Sequence, residues 1–168
     1  MCAPSLHSVH TSKLMADKER TVVIGMDGSK QAIEAFKWFC KSMKRDTDKV
    51  VMVYTVEVTD AMTPKQWLHV PSSEQEIKTT IDKNMEKIKE KLAGFAKLME
   101  SEHATGTVRS AQSENPGEGI VKTAIELDAD MIIMGSRGLG TIRRTILGSV
   151  SDYVVHHANV PVVVCPPS

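Results

Sequence analysis

The residues best able to do chemistry lie close together, in Gly135-Ser136-Arg137-Gly138-Leu139-Gly140 and, after Thr141–Leu147, in Gly148-Ser149-Val150-Ser151. Glycines let backbone N–H groups approach an anion closely and adopt positive φ without a Cβ penalty. A helix opening near Ser149 adds unsatisfied N–H donors and a partial positive charge. Ser149 and Ser151 carry hydroxyls that can donate to phosphate oxygens, and Arg137, Arg143 and Arg144 carry cationic forks. These are the parts of a phosphate cradle. The stretch is not a Walker A loop, because GxxxxGK[ST] does not occur. It is not a dinucleotide fingerprint either, because Arg143 stands where the third glycine is needed. The plainer reading is a long strand-to-helix loop that needs glycine for its turns, with Ser149 only capping the helix. A second polar turn, Asp27-Gly28-Ser29, follows the first apolar run, and Asp27 there is either a ligand group or a turn former.

Strands and helices have to deliver those residues, and the chain alternates between the two from Thr21 onward. Thr21–Asp27 and Val50–Val56 read as strands, the second apolar on both faces, as in a parallel sheet covered on two sides. Between them Ala32, Phe36, Phe39, Cys40 and Met43 recur at helical spacing, predicting a helix from Ser29 to Arg45. Residues Glu57–Ser73, with Pro64 and Pro71, read as a long loop holding a short helix around Trp67. Ile77, Ile81, Met85, Ile88, Leu92, Phe95 and Met99 step by three or four and form the clearest amphipathic stripe in the chain.

Thr105–Ala111 is a weaker third strand. Asn115-Pro116-Gly117-Glu118 then supplies a cap, a first-turn proline and an acidic first turn to a helix ending at Leu127. Strand Met131–Gly135, a helix from Ser149 to Ala158 and strand Val160–Cys165 complete the order β-α-β-α-β-α-β-α-β. The fold class is α/β: a single three-layer domain with a five-stranded parallel sheet and four main helices. Open sheets of this kind bind ligands beyond the carboxyl ends of their strands, at a topological switch point. Asp27 and the Gly135 loop both fall at such ends.

Composition narrows the function classes. The 168 residues suit one domain, and 21 basic against 21 acidic residues leave no basic excess for coating nucleic acid or an acidic membrane. Two Trp, two Tyr and three Phe are few for a base-stacking binder. Cys2, Cys40 and Cys165 lack CxxC spacing and read as reduced cytosolic thiols. No apolar run approaches the ~18 residues of a membrane span. The expectation is a cytoplasmic protein in which residues 1–20 are a disordered extension and residues 21–168 are the domain.

The spacing Gly135-x2-Gly138-x9-Gly148-Ser149 resembles the G-2x-G-9x-G-S/T pattern of the ATP-binding branch of the universal stress protein family. The start Ile24-Gly-Met-Asp-Gly-Ser29 and the ending Val160-Pro-Val-Val-Val164 are similar to that family too, so the likeness runs from Thr21 to Pro166. The resemblance implies a Rossmann-like α/β fold with strand order 3-2-1-4-5, an ATP or other adenine-nucleotide ligand, and a homodimer. On that basis Asp27 faces the ribose or a Mg²⁺ near the phosphates, and Val56 lines the adenine pocket. Gly135, Arg137 and Gly138 wrap the ribose and inner phosphates, and Gly148, Ser149, Val150 and Ser151 hold the outer ones. The apolar fifth strand, Val162–Cys165, would pair with its twofold mate, although Pro161, Pro166 and Pro167 could instead fence off that edge.

Three functions compete. The first is an ATP-binding stress or signalling module sensed by an unidentified protein partner. The second is a slow Mg²⁺-dependent ATPase. The third is a nucleotide-free dimeric interaction protein. Hydrolysis needs a group that orients a water, and the loop offers donors without one. The six histidines gather nowhere near the loop, and Cys165 has no neighbouring histidine in the motif. Asp152, one turn into the last helix, reads as a capping residue.

Overall fold

Side chains alternate across a strand, so a strand buried on both faces must serve two cores. In the computed structural model, which describes residues 19–56, 74–136 and 147–166, the strands do so. In chain order the elements are β1 (Arg20–Gly25), α1 (Lys30–Ser42), β2 (Asp48–Val56), α2 (Glu74–Ser101) and β3 (Gly106–Gln112). They continue with α3 (Pro116–Glu126), β4 (Met131–Gly135), α4 (Ser149–His157) and β5 (Val162–Cys165). The sheet order is β3-β2-β1-β4-β5 and every pairing is parallel.

Val22, Ile24, Val50, Met52 and Ile133 face one layer, where Phe36 and Phe39 of α1 meet Phe95 and Met99 of α2. Val23, Val51, Val53, Ile132 and Met134 face the other, against Ile120, Val121 and Ala124 of α3 and Val154 of α4. With α1 and α2 on one face and α3 and α4 on the other, the connections diverge between β1 and β4. Burying a side chain such as Phe36 or Ile133 contributes roughly 1.5–3 kcal/mol, so these two cores are what hold the strand ends in place.

Caps follow from residue type. Ser29 caps α1, its hydroxyl accepting the Ala32 N–H at 3.2 Å, and Asn115 caps α3 by accepting the Gly117 N–H at 2.9 Å. Glu118 does not close a capping box: its carboxylate accepts from Ser113 Oγ at 2.8 Å and pairs with Lys122 at 2.8 Å.

Some boundaries differ from expectation. The first strand begins at Arg20, within the expected extension, because its guanidinium grips Asp48 through Nε–Oδ1 at 2.9 Å and Nη2–Oδ2 at 2.7 Å. The first helix ends at Ser42, three residues before Arg45, since Met43 has left helical geometry at φ −130°. The last strand begins only at Val162, after Pro161, whose carbonyl accepts the Ile132 N–H at 2.9 Å. The α2 stripe is buried at Phe95 and Met99, whereas Ile81 and Met85 are 55% and 50% exposed. The Glu57–Ser73 loop with Trp67, and nearly all of the N-terminal extension, lie outside the described residues. Among the described residues, no helix is long and apolar enough to cross a membrane.

Candidate functional site

The end of β1 is a self-bonded turn. Asp27 Oδ1 accepts the Ser29 N–H at 2.8 Å, and Gly28 between them takes φ +84°, a left-handed conformation that favours glycine. Its missing Cβ would lie 3.8 Å from Phe95 Cζ, so the turn rests on α2. Asp27 is therefore a turn former, using Oδ1 for the turn.

At the end of β2, Val56 is half-buried against the α1/α2 layer, and its carbonyl accepts the Ser113 N–H at 3.4 Å. Next to it Thr55 Oγ1 donates to the Pro116 carbonyl at 3.1 Å, and a Cβ on Gly119 would meet Thr55 at 2.8 Å. The start of α3 is thereby stitched onto this strand end.

At the end of β4, a Cβ on Gly135 would fall 2.9 Å from the backbone C and O of Gln31. This glycine has a packing reason the sequence did not reveal: without it the first turn of α1 could not rest on the strand. Ser136 continues the ladder by donating its N–H to the Cys165 carbonyl at 2.8 Å. Its own carbonyl accepts twice, from the Gly148 N–H at 2.8 Å and from Ser151 Oγ at 3.0 Å. Ser151 Oγ also reaches the Gly148 carbonyl at 2.9 Å. The Ser151 hydroxyl, expected to face a phosphate, is thus engaged on the backbone.

α4 opens differently from α1 and α3. Gly148 occupies the N-cap at φ −66°, ψ 151°, with no side-chain cap, and Ser149 is the exposed first residue of the helix instead of its cap. The first intrahelical bond is Asp152 N–H to the Gly148 carbonyl at 2.8 Å, which leaves the N–H groups of Ser149, Val150 and Ser151 ahead of the helical ladder. Asp152 does not cap either: it is exposed, with Oδ1 3.7 Å from His156 Nδ1. Val150 leans its side chain on the α3/α4 core. Beside this opening, Ser136 Oγ is buried with no hydrogen-bond partner among the described residues. Sequence reasoning passed over Ser136, since the signal is a missing partner and not a residue type. Arg137, Gly138, Gly140, Arg143 and Arg144 lie outside the described residues.

Other reactive groups are held quiet. Burial, with Glu102 nearby, pushes the Cys40 thiol up to about 11, and burial raises that of Cys165. His156 and His157 each place Nδ1 on a carbonyl four residues back, at 2.8 and 2.7 Å. Among the described residues, no three His, Cys, Asp or Glu side chains gather to hold a metal ion.

A doubly wound α/β sheet with an uncapped helix opening at its switch point defines the class of protein. The chain belongs to the universal stress protein family, whose model matches residues 19–166. It is 28% identical over 149 residues to a universal stress protein of Methanocaldococcus jannaschii, covering 86% of this chain and 81% of that protein. A Mycolicibacterium smegmatis universal stress protein is 23% identical over 148 residues, 87% of this chain but 48% of its own length, so the chain spans about half of that relative. Among solved structures, a family member from Arabidopsis thaliana with AMP bound superposes with a TM-score of 0.61 at 16% identity, covering 89% of this chain and 92% of that one. The Archaeoglobus fulgidus protein in complex with dAMP gives 0.57 at 21% identity, covering 88% and 98%. At these identities the structural matches show the shared fold.

Proposed function

We propose that this chain is an adenine-nucleotide-binding stress or signalling module, with ATP as its ligand, held where β1 and β4 part. The observation that carries the reading is the bare opening of α4, three N–H donors with no side-chain cap, at the end of the motif Gly135-x2-Gly138-x9-Gly148-Ser149. That family members were crystallised with AMP and dAMP supports an adenine ligand. In this reading Val56 lines the base pocket, and Asp27 Oδ2 meets the ribose or, with the phosphates, a Mg²⁺. One carboxylate plus substrate phosphates is a usual way to hold that ion, and the Asp27 turn fits it. Gly135, Arg137 and Gly138 surround the ribose and inner phosphates, and the N–H groups of Ser149, Val150 and Ser151 take the outer ones. Bound nucleotide biases the conformation that a protein partner senses. β5 is a sheet edge and pairs with its twofold mate to give a homodimer.

Thermal unfolding with ATP and Mg²⁺, against AMP and GTP, tests this. At 100 times its dissociation constant ATP stabilises by ~2.7 kcal/mol, a shift of roughly 5–10 °C at this size. GTP gives no shift, and Gly138→Val abolishes the ATP shift while unfolding stays cooperative. Absence of any shift in wild-type protein freed of nucleotide would point to the nucleotide-free interaction protein.

A further inference from the structure

β3 closes one side of the sheet, and no strand lies beyond it among the described residues. Its register with β2 runs unbroken from Gly106 opposite Val50 to Gln112 opposite Val56. The Val50 N–H donates to the Thr105 carbonyl at 3.1 Å, and the Ser113 N–H to the Val56 carbonyl at 3.4 Å. Backbone direction alternates along a strand, so Thr107, Arg109 and Ala111 also turn their N–H and C=O groups toward β2, and Val108, Ser110 and Gln112 turn theirs outward. The strand is exposed except at the half-buried Val108 and Ala111. It carries no proline, lysine or bulge, the devices that blunt an edge, whereas β5 on the other side has Pro161 before it and Pro166 after it. Arg109 is the one charged residue of β3. It shares a face with Ala111, which packs toward α3, and lines a groove of about 160 Å³ together with Lys122 and Glu126 of that helix. Lys122 is already paired with Glu118 at 2.8 Å, so the cation that the strand itself presents is Arg109.

We propose that the outer edge of β3 receives an extended segment of a partner protein, which adds antiparallel to the five-stranded sheet and sets an acidic side chain directly opposite Arg109. The backbone groups of Val108, Ser110 and Gln112 supply the hydrogen bonds, and Arg109 supplies the selectivity. The place opposite Arg109 is a non-hydrogen-bonded position, where facing side chains approach most closely. A second copy of the chain is a poorer occupant. Arg109 is the middle residue of β3, so two copies paired over the whole strand about a twofold axis would set this arginine against itself, and like charges directly opposite are destabilising. The edge is separate from the proposed nucleotide site, and the proposal stands whether or not nucleotide binds.

The probe is a capped peptide, Thr-Thr-Val-Glu-Val-Thr-Thr, its glutamate meant for the place opposite Arg109, titrated into the full chain and followed by backbone amide NMR. Shifts are expected at Val108, Ser110 and Gln112, with slower exchange of their N–H groups, at peptide concentrations up to about 1 mM, the weak end of recognition. The same peptide with lysine in place of glutamate binds roughly tenfold more weakly, since a cross-strand attraction becomes a repulsion. Arg109→Glu reverses that preference without touching the backbone. Ser110→Pro removes an outward N–H where an edge strand tolerates proline, so it abolishes peptide binding while the melting temperature stays within about 4 °C of wild type. No shift at the three amides with about 1 mM peptide, or shifts confined to β5, would overturn the proposal. Equal binding of the two peptides by wild type and Arg109→Glu would overturn it as well. A wild-type dimer that Ser110→Pro dissociates would give the edge to a second copy of the chain and not to a partner.

Discussion

At the amino-terminal edge of the sheet the polar groups satisfy one another. Arg20 grips Asp48, whose side chain is fully buried and also accepts the Arg45 N–H at 2.9 Å, and Asp130 Oδ2 accepts the Thr21 N–H at 2.8 Å. At the carboxyl-terminal edge, Asp27 uses one carboxylate oxygen for its turn, α4 opens without a side-chain cap, and Ser136 Oγ is buried with no partner among the described residues. Both edges belong to one sheet and stand on the same two cores. The closed edge uses its polarity to hold the fold, and the open edge, among the described residues, leaves polarity that the fold does not use. Substitutions at the two edges should therefore separate stability from binding.

The largest effect belongs to the closed edge. Asp48→Ala leaves the Arg20 guanidinium without its partner in a mostly buried position. The expected cost is about 3 kcal/mol, a melting temperature lower by roughly 6–12 °C, with ATP affinity retained below the transition. The same pair sets an acid limit. Burial pushes the Asp48 carboxyl up, but the Arg20 hydrogen bond, the Arg45 N–H and the two arginine charges outweigh it and hold it below its ordinary 3.8. A depressed carboxylate stabilises the fold above its unfolded value, and that contribution is lost as pH falls through the folded value. Stability measured by urea titration should drop below about pH 4, less steeply in Asp48→Asn.

Gly135→Ala comes next and crosses between the edges, since it acts at the open one through packing. The new Cβ would press on the Gln31 backbone, and either α1 or β4 must give way. Expected are a loss of about 1–3 kcal/mol by denaturant titration and a weaker nucleotide shift, because the Asp27 turn moves with α1. Unchanged stability would show that the two strand ends are less tightly coupled than the spacing demands.

The smallest effect is the most pointed. Ser149→Glu puts a carboxylate in the first turn of α4, where the macrodipole favours it. The ligand-free protein should gain about 0.3–1 kcal/mol, while ATP binding weakens through repulsion of its phosphates. A single substitution that stabilises the fold and impairs binding would mark this opening as kept bare for function.

Much of the fold was legible because its signals are local. The apolar runs at Val50–Val56 and Met131–Gly135, the Asn115-Pro116 entry and the stripe ending at Phe95 and Met99 each depend on neighbours a few residues apart. The strand order came from the resemblance and agrees with the pairing observed. What stayed hidden depends on distance. Arg20 and Asp48 are 28 residues apart, and nothing in the sequence around Arg20 announces a partner. The stripe at Ile81 and Met85 reads like that at Phe95, because periodicity identifies a face without telling whether a sheet lies beneath it. Asp27 follows β1 and Gly148 precedes α4, as the order of apolar runs and glycines suggested. Gly135's contact with Gln31, Ser151's turn inward and the lone hydroxyl of Ser136 depend on what surrounds a residue, which spacing does not encode.

One bond bears on how such a site can diversify. The Gly148 N–H meets the Ser136 carbonyl at 2.8 Å, so the chain departs from β4 and returns to α4 at a single clasped point. Whatever runs between those residues, its ends are already held together by the scaffold. For a clasped segment the closure entropy changes only with the logarithm of its length, and even a doubling costs about 0.6 kcal/mol. Changes of length between Ser136 and Gly148 should therefore cost the fold little, and the opening of α4 stays where it is.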